Sequence, residues 1–470
     1  MNKFSLLMAS LFFACFVAKA DYKFTFHITD LKEGTVYLGH HYANKQVVKD
    51  SVKLNNGKAV FKGDKEIPGG LYLFVFPGKS EYFEFVVSGD EEEFSITTSQ
   101  KDYIKDFSTV GSKENEQFYK YINYLSDKKA SSAPLRKNYQ SETDPTKKQA
   151  INKLLKELDN DILQYQEKFI TDNSELFVSK IIKSNIDIEV PEPPKNSAGA
   201  IDSNFKFKYY KNHYFDNIDL SDDRMIRTPS VVNKVTYYME KLVLKAPDSV
   251  LNAYERILGL ASGSKEITKY YLVNFLNETV DSKVMGMDKV YVHLVEKYFV
   301  KEKMEWLDYA QLVRIQAQAK SWKPILIGER APPFRLQDAM GKEHHPYQFH
   351  NKYTMLYFYD PDCGHCKTQT KKLVPAYESI ISKGFDLKIM AICGTPEEEK
   401  WLKYTAEKMH EDWVHVADFE YKSDFRTLYD LTGYPRIFIL DENKTIIAKR
   451  LGAEQVEDFL ERHEKLKHEK

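Results

Sequence analysis

The sequence predicts a multidomain protein with an N-terminal β-sandwich, a central α-helical domain and a C-terminal α/β domain. Three observations predict it. Short runs of alternating polarity, separated by turn residues, fill residues 21–110; apolar residues at helical spacing dominate 111–322; and strand-like runs alternate with helical ones over 323–470. At 470 residues the chain exceeds what one hydrophobic core supports, so several domains are expected.

Residues 1–20 read as an export signal. Lys3 supplies the positive start, residues 4–17 are apolar and uncharged, and Ala18-Lys19-Ala20 offers a small-x-small cleavage site, so the mature chain is expected to begin at Asp21. The apolar run falls short of the ~20 residues of a membrane-spanning helix. The alternative is lipoprotein processing at Cys15, because Leu11-Phe12-Phe13-Ala14 resembles a lipobox loosely; membrane attachment is expected only in that case. A formal charge of −1 gives no global field for nucleic acid, and none is expected as a partner. Aromatic content of 14%, from 31 Tyr and 29 Phe, fits aromatic-rich sheets and helix interfaces, not a disordered chain.

Within 21–110, residues 23–28 alternate with period two, 35–39 follow a Glu-Gly turn, and 47–54 are closed by Asn55-Asn56-Gly57, a strong hairpin signal. Runs at 59–63, 70–76, 82–88 and 93–98 bring the count to seven, the pattern of a β-sandwich. The region shows no cluster of acids, histidines or thiols, so it reads as a packing or recognition domain.

Val110-Gly111-Ser112 marks the change to helix. Helical spacing is seen over 114–125 and more clearly over 150–169, where Ile151, Leu154, Leu155, Leu158, Ile162, Tyr165 and Phe169 form one stripe. After the breaker Val190-Pro191-Glu192-Pro193-Pro194, helical patterns recur at 230–244, 249–260, 266–277, 289–300 and 306–320. His213 and His293 lack the spaced partners of a metal site, and no metal is expected.

The last region opens with Gly328-Glu329-Arg330-Ala331-Pro332. A buried strand over 354–359 leads into Asp360-Pro361-Asp362-Cys363-Gly364-His365-Cys366 and a helix to 383. Then come a strand at 387–393, a helix at 396–409 with Pro396 in its first turn and glutamates after it, a strand at 413–417 and a helix at 422–431. Gly433-Tyr434-Pro435 feeds a strand to 441, a last strand spans 446–450, and a helix spans 454–465. Once Cys15 leaves with the signal, Cys363, Cys366 and Cys393 remain, too few to scaffold a large exported chain. Cys363 and Cys366 are two residues apart where a strand hands over to a helix, so they can share one turn and close and reopen a disulfide. Cys363 at the helix start would have its thiolate favoured by free N–H groups and the dipole. Cys393 ends an apolar strand and reads as a small buried hydrophobe.

The Gly-Glu-x-Ala-Pro opening, the Cys363–Cys366 pair after a strand, and Tyr434-Pro435 before the last hairpin together resemble the thioredoxin superfamily, and within it the exported TlpA/ResA-like thiol–disulfide oxidoreductases. The resemblance covers the last third of the chain; the regions ahead are similar to the accessory regions found before such domains. It implies a thioredoxin-like domain over 323–470 and a periplasmic enzyme that exchanges disulfides with protein thiols and a further redox partner. No cofactor is implied. Cys363 would be the nucleophile and Cys366 the resolving thiol, the two forming the redox-active disulfide. Tyr434 and Pro435, the latter in a cis peptide, would lie beside them where the substrate chain pairs. His365 would tune the couple, helped by Lys367 and Lys371: a stabilised thiolate makes the disulfide more oxidising, so the potential is expected above thioredoxin's roughly −270 mV.

The sequence departs from the family at several positions. Tyr357 stands where thioredoxins carry a buried Asp, Gln369 where ResA-like proteins carry a Glu, and Asp362 in place of the usual Trp; Pro375 lies late in the helix. The proton acceptor for Cys366 therefore stays open. A thiol peroxidase of the peroxiredoxin type would want Pro and Thr or Ser where Leu356 and Asp360 stand. The other alternative is a cell-envelope binding protein whose thioredoxin-like domain is not catalytic.

Overall fold

In the computed structural model, which describes residues 22–90, 93–195, 200–301, 304–395 and 397–468, eight strands open the chain: β1 (Tyr22–Ile28), β2 (Glu33–Tyr42), β3 (Lys45–Asn55), β4 (Lys58–Gly63), β5 (Gly70–Val75), β6 (Tyr82–Val87), β7 (Glu93–Thr98) and β8 (Ser108–Val110). The export signal, Cys15 and Pro396 lie outside the described residues. The expected sandwich is built from one continuous sheet, ordered β6-β5-β2-β3-β4-β1-β7-β8. It folds over on itself: Phe26 of β1 meets Phe74 of β5 at 4.7 Å and Phe85 of β6 at 5.2 Å, although neither strand neighbours β1 in the sheet. Alternation along β1 puts Tyr22, Phe24, Phe26 and Ile28 inside. Three-residue β8 carries no period-two pattern that a sequence reading could detect.

The helices that follow are α1 (Lys113–Ser141), α2 (Pro145–Asp172), α3 (Phe177–Lys183), α4 (Phe205–His213), α5 (Pro229–Tyr237), α6 (Pro247–Leu260), α7 (Lys265–Asp281), α8 (Met287–Tyr298) and α9 (Tyr309–Trp322). Helix α1 runs well past the expected end at 125 and through Pro134. Its second half has almost no buried residues and is held to α2 by polar pairs such as Arg136–Asp159 (3.0 Å), so apolar spacing gave no sign of it. In the α2 stripe only Leu155 and Phe169 are buried, and Leu154 is exposed. His213 pairs with Asp216 (2.7 Å) and His293 with Glu255 (2.8 Å).

Two compact units result: residues up to Val243 with Arg256–Tyr270, and Leu244–Glu255 with Tyr271–Lys470. The helical region is thus divided between them, with α8 and α9 in the second. That unit continues with β9 (Leu336–Gln337), β10 (Glu343–His344), β11 (Tyr353–Tyr359), α10 (Gly364–Ser382), β12 (Leu387–Cys393), α11 (Glu398–Lys408), β13 (Val414–Val416), α12 (Phe425–Leu428), β14 (Arg436–Leu440), β15 (Ile446–Lys449) and α13 (Val456–His468). Its main sheet is ordered β13-β12-β11-β14-β15; β11, β12 and β13 are parallel, β14 pairs antiparallel with β11, and β15 antiparallel with β14. Central strand β11 is buried on both faces. Tyr353, Met355, Tyr357 and Tyr359 face a core shared with α10, α11 and α13, while Leu356 and Phe358 face one shared with α12 and residues 325–336. Helix α12 is one turn long where 422–431 was expected to be helical. The Asp418 carboxylate takes the N–H groups of Lys422 (2.9 Å) and Ser423 (3.0 Å), and Tyr421 has φ +53°, so helix begins only at Phe425. Among the described residues no helix is long and apolar enough to cross a membrane.

Candidate active site

The site begins where β11 ends. Pro361 fixes the backbone, and the Asp360 carboxylate accepts the Asp362 N–H (2.8 Å), so the chain turns sharply out of the sheet. Cys363 N–H then donates to the Asp360 carbonyl (3.2 Å), Cys363 becomes the N-cap of α10, and its carbonyl receives the Lys367 N–H (3.1 Å). Cys366 is on the first turn, three residues on, so both thiols lie on one face of the helix. Neither is in a disulfide; Cys363 is partly exposed and Cys366 fully buried.

The Asp360 N–H points to Cys366 Sγ (3.4 Å). Burial nevertheless pushes the Cys366 thiol up to about 12, and its hydrogen bond with Cys363 and the charges of Cys363 and Asp360 act in the same direction. Across the cleft, Cys363 Sγ donates to the Tyr434 carbonyl (3.6 Å), and the Tyr434–Pro435 peptide is cis. The structure thus brings Cys363, Cys366, Tyr434 and Pro435 together. His365 is exposed on the first turn of α10, and no hydrogen bond, ion pair or ring contact ties it to another described residue.

At the positions that depart from the family, phenol and amide groups take structural partners. The Tyr357 hydroxyl hydrogen-bonds Thr370 Oγ1 (2.8 Å) and donates to the Cys366 carbonyl (3.3 Å); burial holds its pKa far above the usual phenol range, so it is no base at neutral pH. Burial also raises Tyr404, which stands near both thiols. Gln369 Oε1 accepts the Ala453 N–H (2.7 Å) and ties α10 to the turn before α13. Asp362 is exposed and paired with Lys400 (2.8 Å), which holds its carboxyl below the usual range.

Sequence reasoning missed the support behind Tyr434. A Cβ on Gly394 would lie 2.2 Å from Cζ of the Tyr434 ring, so glycine alone fits there. Arg426 donates to the Gly394 carbonyl (3.3 Å) and pairs with the buried Asp418 carboxylate (3.3 Å), and its charge partly offsets the rise that burial imposes on the Tyr434 phenol. Its guanidinium lies against the rings of Tyr421 and Phe425, 4.5 Å from each. The glycine directly after an apolar strand was the one available signal; nothing in the local pattern distinguishes Arg426.

Comparison with known proteins matches three stretches of the chain. Residues 22–118 and 141–323 match two domains of unknown function, DUF4369 and DUF5106, and residues 327–449 match the AhpC/TSA family. A 109-residue stretch is 28% identical to Nucleoredoxin of Xenopus laevis, covering 23% of this chain and 26% of that protein, so the chain spans about a quarter of that relative's length. Among solved structures, a thioredoxin-like protein from Bacteroides caccae is 21% identical, with 59% of this chain and 99% of that one covered and a TM-score of 0.44. A domain of a possible thiol–disulfide isomerase from Cytophaga hutchinsonii is 36% identical, with 31% and 97% covered and a TM-score of 0.29.

Proposed function

Taking residues 327–449 as a thioredoxin-like domain that matches the AhpC/TSA family, we propose that this protein is an exported thiol–disulfide oxidoreductase that exchanges disulfides with protein substrates through Cys363 and Cys366. One observation carries the reading: a partly exposed thiol at a helix start, bonded to the Tyr434 carbonyl, with a second thiol buried one turn behind it. The Cys363 thiolate attacks one sulfur of a substrate disulfide; that bond breaks, one substrate thiol leaves, and a mixed disulfide forms. Cys366, as thiolate, then attacks the Cys363 sulfur. The Cys363–Cys366 bond forms, the second substrate thiol leaves, and two electrons have passed to the substrate. The same steps in reverse oxidise a dithiol.

Tyr434 and Pro435 form the wall against which the substrate chain lies, and His365, open to solvent between the thiols, raises the potential of the couple. Export follows from the signal at residues 1–20, with the periplasm as the compartment. In the purified full chain, Cys363→Ser abolishes disulfide exchange, and Cys366→Ala accumulates mixed disulfides with protein partners. Exchange that survives Cys363→Ser would end this reading in favour of a binding protein.

A further inference from the structure

The loop that carries Tyr434 and Pro435 is held from upstream of the thioredoxin-like segment. After α12 the chain passes through Asp430, whose φ of +48° places it in the left-handed region, and four residues later reaches Tyr434. The Asp430 carboxylate is gripped by the end of α9: Ser321 Oγ donates to Oδ1 (2.8 Å), and Trp322 Nε1 (2.7 Å) and Gln318 Nε2 (3.4 Å) donate to Oδ2. Hydrogen bonds to an ionised carboxylate are stronger than neutral ones, and here three converge on a single residue.

The grip is itself anchored. Trp322 is 7% exposed, packs on Tyr291 of α8 at 4.9 Å, and has the Arg450 guanidinium over its ring at 5.3 Å. One residue before Arg450, Lys449 on edge strand β15 forms an ion pair with Asp288 of α8, both side chains 3% exposed, and donates to the Ile325 carbonyl (2.6 Å). Helices α8 and α9 thus hold both the loop before β14 and the strand after it.

We propose that α9 is a working part of the dithiol site, and that Asp430 is the positioning residue through which it sets the Tyr434–Pro435 wall for protein substrates. The proposal rests on the oxidoreductase reading above. Its consequence is that the helical region ahead of the thioredoxin-like segment controls how well a protein disulfide is seated, without touching either thiol.

The test uses the full chain, insulin as the protein disulfide, dithiothreitol as electron donor, and iodoacetamide to report on Cys363. Asp430→Ala is expected to lower kcat/KM for insulin about tenfold, mainly through a higher KM. Trp322→Phe, which removes the indole N–H and leaves a smaller aromatic ring, is expected to act in the same direction by about threefold. Alkylation of Cys363 by iodoacetamide stays within about twofold of wild type in both, because neither change touches the thiols. Should Asp430→Ala fail to fold, Trp322→Phe decides alone. An unchanged KM, a loss confined to kcat, or a parallel fall in alkylation overturns the role given to α9. Cys363→Ser separates the two levels: insulin reduction that survives it defeats the oxidoreductase reading. An inactive Cys363→Ser beside wild-type values for Asp430→Ala and Trp322→Phe defeats only this inference.

Discussion

The two sheets of this protein are both rich in aromatic residues and use them differently. The N-terminal sheet closes around phenylalanine: Phe24, Phe26, Phe61, Phe74, Phe83, Phe85 and Phe94 meet one another at ring distances between 4.2 and 6.5 Å. The sheet beneath the dithiol is built with tyrosine. Tyr357 reaches Thr370 and the Cys366 carbonyl, Tyr429 donates to the Pro332 carbonyl (2.8 Å), Tyr353 donates to Glu464, and Tyr434 meets Arg426. A phenylalanine ring asks only for volume; a buried phenol also needs a partner at a fixed place. The first core buys cohesion. The second also orients α10 and the Tyr434 loop relative to the thiols.

The comparison is broken most forcefully from the phenylalanine side. Phe26 is fully buried, so Phe26→Ala is expected to cost ~3–5 kcal/mol of stability in denaturant unfolding. Cys363 alkylation in native buffer should not change. A large fall in thiol reactivity would show that the two cores do not divide the work as described.

The next effect concerns the proton on Cys366. A thiol pushed up to about 12 is protonated at neutral pH, and its thiolate fraction grows with every step upward in pH. In the mixed disulfide the contributions from Cys363 fall away, but burial, the largest cause, remains. Resolution by Cys366 should therefore accelerate about tenfold per pH unit between pH 6 and 9 without levelling. A plateau near pH 8 in stopped-flow release of the substrate thiol would mean that the buried site supplies a base after all.

A smaller effect tests the phenols directly. Tyr357→Phe keeps the ring and leaves Thr370 without that partner, so a loss of about 1 kcal/mol is expected, with exchange nearly unchanged. If exchange instead falls by more than about tenfold, the phenol takes part in moving the Cys366 proton.

Much of this was legible in the sequence because it lies in local pattern. Strands with alternating or continuous apolar runs, such as β1 and β11, were found within a residue or so, and the pair Cys363–Cys366 stood out by spacing at a strand–helix junction. The fold class and the residues around the thiols followed from that junction and from a family resemblance. What stayed hidden depends on partners distant in sequence. Arg426 matters because β12 is followed by Gly394 beside Tyr434, and Asp430 because α9 ends in Trp322 more than a hundred residues earlier. The polar second half of α1 was missed for the same reason: its support comes from ion pairs to α2, which leave no periodic trace.

The smallest expected effect lies at the mouth of the site, where the sequence put a carboxylate next to Cys363. Asp362 does not face Cys363 unopposed, because Lys400 of α11 pairs with it and with Glu397, each at 2.8 Å. All three side chains are about half exposed, so the pairing is screened and the residual field at the sulfur is weak. Lys400→Ala should free the Asp362 charge and slow Cys363 alkylation by less than about twofold at low salt, and the difference should vanish in ~1 M salt, where charges more than ~3 Å apart are screened. A larger drop that persists in high salt would mean that Lys400 holds the turn at 360–363 in shape, and the wall opposite Tyr434 would then depend on α11 as well as on the tyrosines.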